Sequence, residues 1–258
     1  MTEAAQQAQA ARARLGLALD GPVPDLLRAV EDGGGLAVSV LDLPDGISGA
    51  YARRQGQGFA FVSLREAAVR QRFTLAHELG HHEYKDGGVM DSSANVFGRP
   101  TAVRERRANA FAAEFLAPLA AVQRWMQAHP EPEVTLVTVV ALASWFRVSA
   151  QTALYRLSAA RLVGAKAVRT LESAIQSGEH TRVARRHQIA DLPDQLSQIH
   201  DSGTPHLPSR LWADAVTGYE RGLLTPERIA EAMDRHTSDV EAELAVLGVH
   251  PPDDEPDY

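Results

Sequence analysis

The chain has no cysteine at any of its 258 positions. Disulfides and thiolate metal sites are therefore excluded, and any metal centre must be built from imidazole and carboxylate. Long apolar runs are missing too: nothing approaches the roughly 18 uninterrupted apolar residues of a membrane-crossing helix. The opening Met1-Thr2-Glu3-Ala4-Ala5-Gln6-Gln7 lacks the basic stretch and apolar core of an export signal, so the expected location is the cytoplasm, with no membrane partner. Nor is there an excess of positive charge, since 26 Lys and Arg stand against 33 Asp and Glu, a formal net charge of -7. That argues against nonspecific nucleic-acid binding by the chain as a whole, while leaving local patches open. With 45% apolar and 23% charged residues the chain has the means for a full core, expected as one main domain plus attachments.

Against this background one stretch stands out, His77-Glu78-Leu79-Gly80-His81. Positions i and i+4 project from the same face of a helix, so His77 and His81 can grip one metal ion while Glu78 lies beside it. The flanks suit a helix: Gln71 to His82 is rich in good helix formers, with apolar residues at Phe73, Leu75, Ala76 and Leu79. Lys85-Asp86-Gly87-Gly88 then predicts an end near Tyr84. Gly80 costs about 1 kcal/mol relative to Ala inside a helix, which points to close approach of another segment or of a substrate. His82 projects about 100° away from His81 and cannot share its ion. Asp86 and Asp91 fall in the following loop, where acids commonly serve turns.

A catalytic zinc takes three protein ligands and keeps a fourth position for water, so a third ligand must come from elsewhere. Thr101 to Pro118 reads as a second helix, with Ala108, Phe111, Ala112 and Phe115 forming a buried stripe that would lay it against the first. Its acids are Glu105, the first choice as ligand, and Glu114, the reserve. The spacing of a metzincin fails, because its glycine and third histidine would fall on Tyr84 and Gly87.

Arg72-Phe73-Thr74-Leu75-Ala76-His77-Glu78-Leu79-Gly80-His81, followed by Glu105, Ala108-Asn109, Phe111-Ala112-Ala113-Glu114-Phe115-Leu116 and Pro118, resembles the ImmA/IrrE metallopeptidase family. The resemblance runs from about residue 10 to about 163 and includes Ser48-Gly49 before the active helix. It implies a zinc-dependent endopeptidase that cleaves a partner helix-turn-helix repressor, encoded nearby, to induce stress-response or mobile-element genes. By position it makes His77, His81 and Glu105 the metal ligands and Glu78 the general base. The expected ion is one Zn2+, with Mn2+ or another divalent metal as the alternative. Tyr84, His82 and Arg72 are candidates to support the oxyanion, and Asn109 or Asp91 to hold the second nitrogen of a histidine ligand. The alternative function is a metal-bearing regulator that binds a repressor or DNA without proteolysis.

The expected fold is α+β: a zincin-like peptidase domain over residues 1–128, a helix-turn-helix-like helical domain over 129–164 and a mainly helical extension over 165–258. Ala4–Leu19 reads as an opening helix and Asp25–Glu31 as a short one. Leu36–Leu41, Gly49–Arg53 and Gly58–Ser63 are short β-like runs that suggest a small antiparallel sheet, whose edge could accept an extended substrate. In Leu142–Leu157 an apolar helix, a turn at Arg147-Val148 and a second helix capped by Ser149 resemble a helix-turn-helix. Basic residues at Arg156, Arg161, Lys166, Arg169, Arg182 and Arg185 could attract nucleic acid; alternatively these helices pack on the peptidase and the arginines face solvent or an acidic partner. Ile199–Pro208 has the composition of a linker, Thr225 can cap a helix starting at Pro226, and Pro251–Asp257 that of a disordered acidic tail.

Overall fold

The computed structural model describes residues 2–97, 102–189 and 206–250. Most of the expected linker and all of the expected acidic tail lie outside them. The chain divides into two compact units, Met1–His206 and Leu207–Tyr258.

In the first unit, helix α1 (Glu3–Arg14) begins at Thr2, whose hydroxyl accepts from the Ala5 amide. Helix α2 (Leu26–Gly34) is capped by Asp25 and leaves through Gly35 at φ +66°, a left-handed exit that glycine adopts without strain. Strands β1 (Leu36–Leu41), β2 (Ile47–Arg54) and β3 (Gln57–Ser63) follow, then helix α3 (Ala68–Glu83), strand β4 (Val89–Ser92) and helices α4 (Ser93–Phe97), α5 (Val103–Leu116) and α6 (Leu119–Ala128). Four further helices follow among the described residues of the unit: α7 (Leu136–Phe146), α8 (Ala150–Ala159), α9 (Ala165–Gln176) and α10 (Glu179–Arg186).

The sheet runs β1-β3-β2-β4 and is mixed, a correction to the antiparallel expectation. β2 pairs antiparallel with both β3 and β4, but β1 and β3 are parallel. The tight Gln55-Gly56 turn, both residues at positive φ, makes β2 and β3 a hairpin, and β3 then inserts beside β1. Alternation of apolar residues tells which face of a strand is buried; it says nothing of which neighbour the strand pairs with.

Helix α3 packs between this sheet and α5. Leu75, Ala76 and Leu79 share one core with Val38, Val40, Ala60 and Val62 of the sheet and with Phe111, Ala112 and Phe115 of α5. Each large apolar side chain so buried contributes roughly 1.5–3 kcal/mol. The close approach expected at Gly80 is to α5: a Cβ there would stand 3.1 Å from the Phe111 ring and 3.3 Å from the Ala108 Cα.

Helices α7 and α8 meet at 103° around Arg147, which takes a left-handed φ of +54°. Interactions fix that strained position: Arg147 donates to the Pro24 carbonyl at 2.6 Å, and its own carbonyl accepts from Arg72 at 3.1 Å. Arg156 of α8 is turned inward. It donates to the Ala117 carbonyl at 2.7 Å and pairs with Glu114, both side chains being nearly buried. One of the six basic residues noted in the sequence is therefore part of the interior, and the reserve ligand Glu114 is committed to it.

The second unit comprises α11 (Ser209–Glu220), α12 (Pro226–Met233) and α13 (Thr237–Leu247), packed through Ala215, Ile229, Ala230, Met233, Val240 and Leu244. Thr225 caps α12, accepting from the Arg228 amide. Among the described residues no single helix is long and apolar enough to cross a membrane.

Candidate metal centre

Where α3, α5 and β4 meet, four side chains converge: His77, His81, Asp91 and Glu105. His77 Nε2 and His81 Nε2 lie 3.0 Å apart, and each is 3.4 Å from Glu105 Oε2. All four residues are buried, with at most 2% of the surface of any one exposed. Both oxygens of Asp91 and Oε2 of Glu105 lack a hydrogen-bond partner among the described residues. Buried carboxylate oxygens without donors are costly unless a cation compensates them. Two imidazoles and two carboxylates are a donor set that suits a divalent transition ion, so the residues fit a metal.

The surroundings aim these atoms. His77 donates from Nδ1 to Asn109 Oδ1 at 2.8 Å, and Asn109 donates in turn to the Asn95 carbonyl at 2.9 Å, which fixes its amide orientation. His81 donates from Nδ1 to Asp86 Oδ2 at 2.8 Å, and Asp86 Oδ1 accepts from Arg107 at 2.6 Å. The Arg107 guanidinium lies over the Tyr84 ring, 3.9 Å from its centre. Arg104 donates to Glu105 Oε1 at 2.9 Å, leaving Oε2 turned toward the histidines. Each imidazole thus has Nδ1 occupied and Nε2 directed inward, the arrangement that sets the tautomer of a metal ligand. Replacing Asn109 by alanine frees the His77 ring, and a loss of roughly 10- to 100-fold in metal affinity is expected. Chelator competition on the purified variant measures it.

The site's electrostatics call for positive charge. Burial works against a charged His77 imidazole, but the carboxylates of Asp91 and Glu105 override it and hold the ring well above its ordinary range. The His77 imidazole, 3.4 Å from its inward oxygen, holds Glu105 correspondingly low. Without a metal, His77 therefore keeps its proton through neutral pH, and an incoming cation has to displace it. Divalent-ion affinity should rise with pH by up to about tenfold per unit. Chelator competition across the neutral range tests this, and a flat profile would rule out proton displacement.

Glu78 occupies a different position. It is fully buried on α3 and neither carboxyl oxygen has a hydrogen-bond partner among the described residues. Burial raises its pKa well above the usual carboxylate value. Strand β2 makes room for it through Gly49, where a Cβ would stand 2.4 Å from Glu78 Oε1 and 2.5 Å from Thr74 Cγ2.

Residues 35–158 match the family model described as the IrrE N-terminal-like domain, peptidase M78. They belong to the ImmA/IrrE metallopeptidase family. No curated protein matches the chain at significance. The matched segment of this family domain contains β1 through β4, the converging side chains and the α7–α8 pair.

The structure brings His77, His81 and Glu105 together and sets Glu78 beside them, with Asn109 behind His77. The other candidates go elsewhere. Arg72 is buried and donates to the carbonyls of Val23 and Arg147, which ties it to the start of α2 and the α7–α8 turn. His82 packs over the sheet, its Nδ1 3.2 Å from the Tyr51 hydroxyl. Tyr84 turns toward α5, edge-on to Phe111. Asp91 joins the ligand set itself and Asp86 supports His81, roles not assigned to them from sequence. A loop acid close behind the second histidine was the available signal for both.

Proposed function

We propose that this chain is a zinc-dependent endopeptidase that cuts a helix-turn-helix repressor encoded nearby. The observation that carries the reading is Glu78, a fully buried carboxyl with no hydrogen-bond partner among the described residues, next to His77 and within electrostatic reach of Asp91 and Glu105. A purely structural metal site has no use for such a group.

In this reading His77, His81 and Glu105 hold the ion, while Asn109, Asp86 and Arg104 keep their ligand atoms aimed. A bound zinc ion supplies Lewis acidity, polarising the scissile carbonyl and lowering the pKa of water from about 15.7 toward 7. Glu78 accepts the proton of the attacking water and later delivers it to the leaving amine. The outer edge of β4 has no strand partner among the described residues, which suits main-chain pairing with an extended peptide.

The test is incubation with the product of the adjacent regulator gene, with and without chelator, read by fragment mass. Two fragments summing to the intact repressor, formed only without chelator, are the expected result. An intact repressor that nevertheless binds the chain would favour a non-proteolytic regulator.

A further inference from the structure

The reading above uses three of the four converging groups; Asp91 is the fourth. Ligand atoms about 2.0–2.1 Å from a tetrahedral ion stand roughly 3.3–3.4 Å from one another. Here the two Nε2 atoms are 3.0 Å apart, and each is 3.4 Å from Glu105 Oε2. Asp91 Oδ2 lies 3.7 Å from His77 Nε2 and 3.6 Å from His81 Nε2. The Asp91 carboxylate therefore stands near ligand spacing from both imidazoles, and with Glu105 it makes four donor atoms within 4.8 Å of one another.

It is not placed to support another ligand instead. Both Nδ1 atoms are already taken, by Asn109 and Asp86. Asp91 is fully buried, and neither of its oxygens has a hydrogen-bond partner among the described residues. With it in place, every corner is a protein atom. Four protein ligands are the mark of a closed site, whereas a catalytic zinc leaves one corner to water.

We infer that Asp91 is a displaceable ligand occupying the water's corner, a built-in latch that blocks hydrolysis until β4 carries it away. This rests on the metallopeptidase reading and adds a resting state to it. β4 is suited to such movement: it has four residues, lies at the sheet edge and among the described residues pairs with β2 alone, with a register irregularity between Ile47 and Gly49. Asp91 stands opposite Gly49, which has no side chain to pin it. A peptide pairing with the outer edge of β4 would pull on the strand that carries the latch, so substrate engagement and opening become one event.

The experiment uses the full chain loaded with Co2+, whose visible spectrum reports coordination, titrated with azide as a small anionic ligand. Asp91→Asn and Asp91→Ala are compared with the wild type, with thermal melts verifying that each is folded. The wild-type spectrum should resist azide at concentrations at least tenfold above those that saturate the variants, and both variants should bind Co2+ about 10- to 100-fold more weakly. Equal azide response and equal Co2+ affinity in folded variants overturn the latch alone. Failure of the wild type to take up Co2+ overturns the metal reading together with it.

Discussion

Glu78→Gln is expected to retain the metal and to lose repressor cleavage by on the order of 10²–10⁴-fold, the usual contribution of a positioned general base. Glutamine matches the volume of glutamate, so it fits the space that Gly49 leaves, where a single added carbon would stand 2.4 Å from Glu78 Oε1. It has no basic oxygen with which to take a proton from water. The wild-type carboxyl already lies buried with no hydrogen-bond partner among the described residues, so an amide of the same shape adds no new kind of unpaired group and should not lower the melting temperature appreciably. Fragment mass, metal content and a thermal melt on the same preparation separate the loss of chemistry from loss of fold. A variant that still cuts would remove Glu78 from the reaction and with it the main support for an endopeptidase.

Stripping the ion is expected to lower the melting temperature of the first unit by roughly 8–16 °C. A ligand held a thousandfold above its dissociation constant stabilises by about 4 kcal/mol, and each kcal/mol shifts the melting of a unit this size by about 2–4 °C. The physical source is the crowding of buried carboxylates, since without the ion Asp91 and the inward oxygen of Glu105 are met, among the described residues, only by the imidazoles, at 3.4–3.7 Å. Melts with and without chelator give the shift directly. His77→Ala should start near the stripped value and show no further response. A wild-type protein indifferent to chelator would indicate that protons alone satisfy this cluster.

The parts of the site that were legible in the sequence are those governed by helical geometry. His77, Glu78 and His81 announce themselves because i and i+4 share a face, and Ala108, Phe111, Ala112 and Phe115 mark the side of α5 that packs on α3. Gly80 likewise signalled a close neighbour, which proved to be Ala108 and Phe111. Non-local pairing accounts for what was missed. Val89–Ser92 is too short to show alternation and becomes a strand only through β2, so Asp91 looked like a loop acid. The parallel β1–β3 pairing left no trace in either strand taken alone. Arg72 looked like a site residue and Arg156 like part of a basic surface because sequence records a charge and not its direction; both are turned inward onto carbonyls.

All the converging groups and most of their supports come from one continuous stretch, from His77 to Asn109. Closing it costs less loop entropy than joining α1 to α5, although the β1–β3 pairing spans a shorter stretch still. A cation bound there would therefore link α3, β4 and α5 within a single stretch of chain, without calling on the N-terminal helices or on the α7–α8 pair.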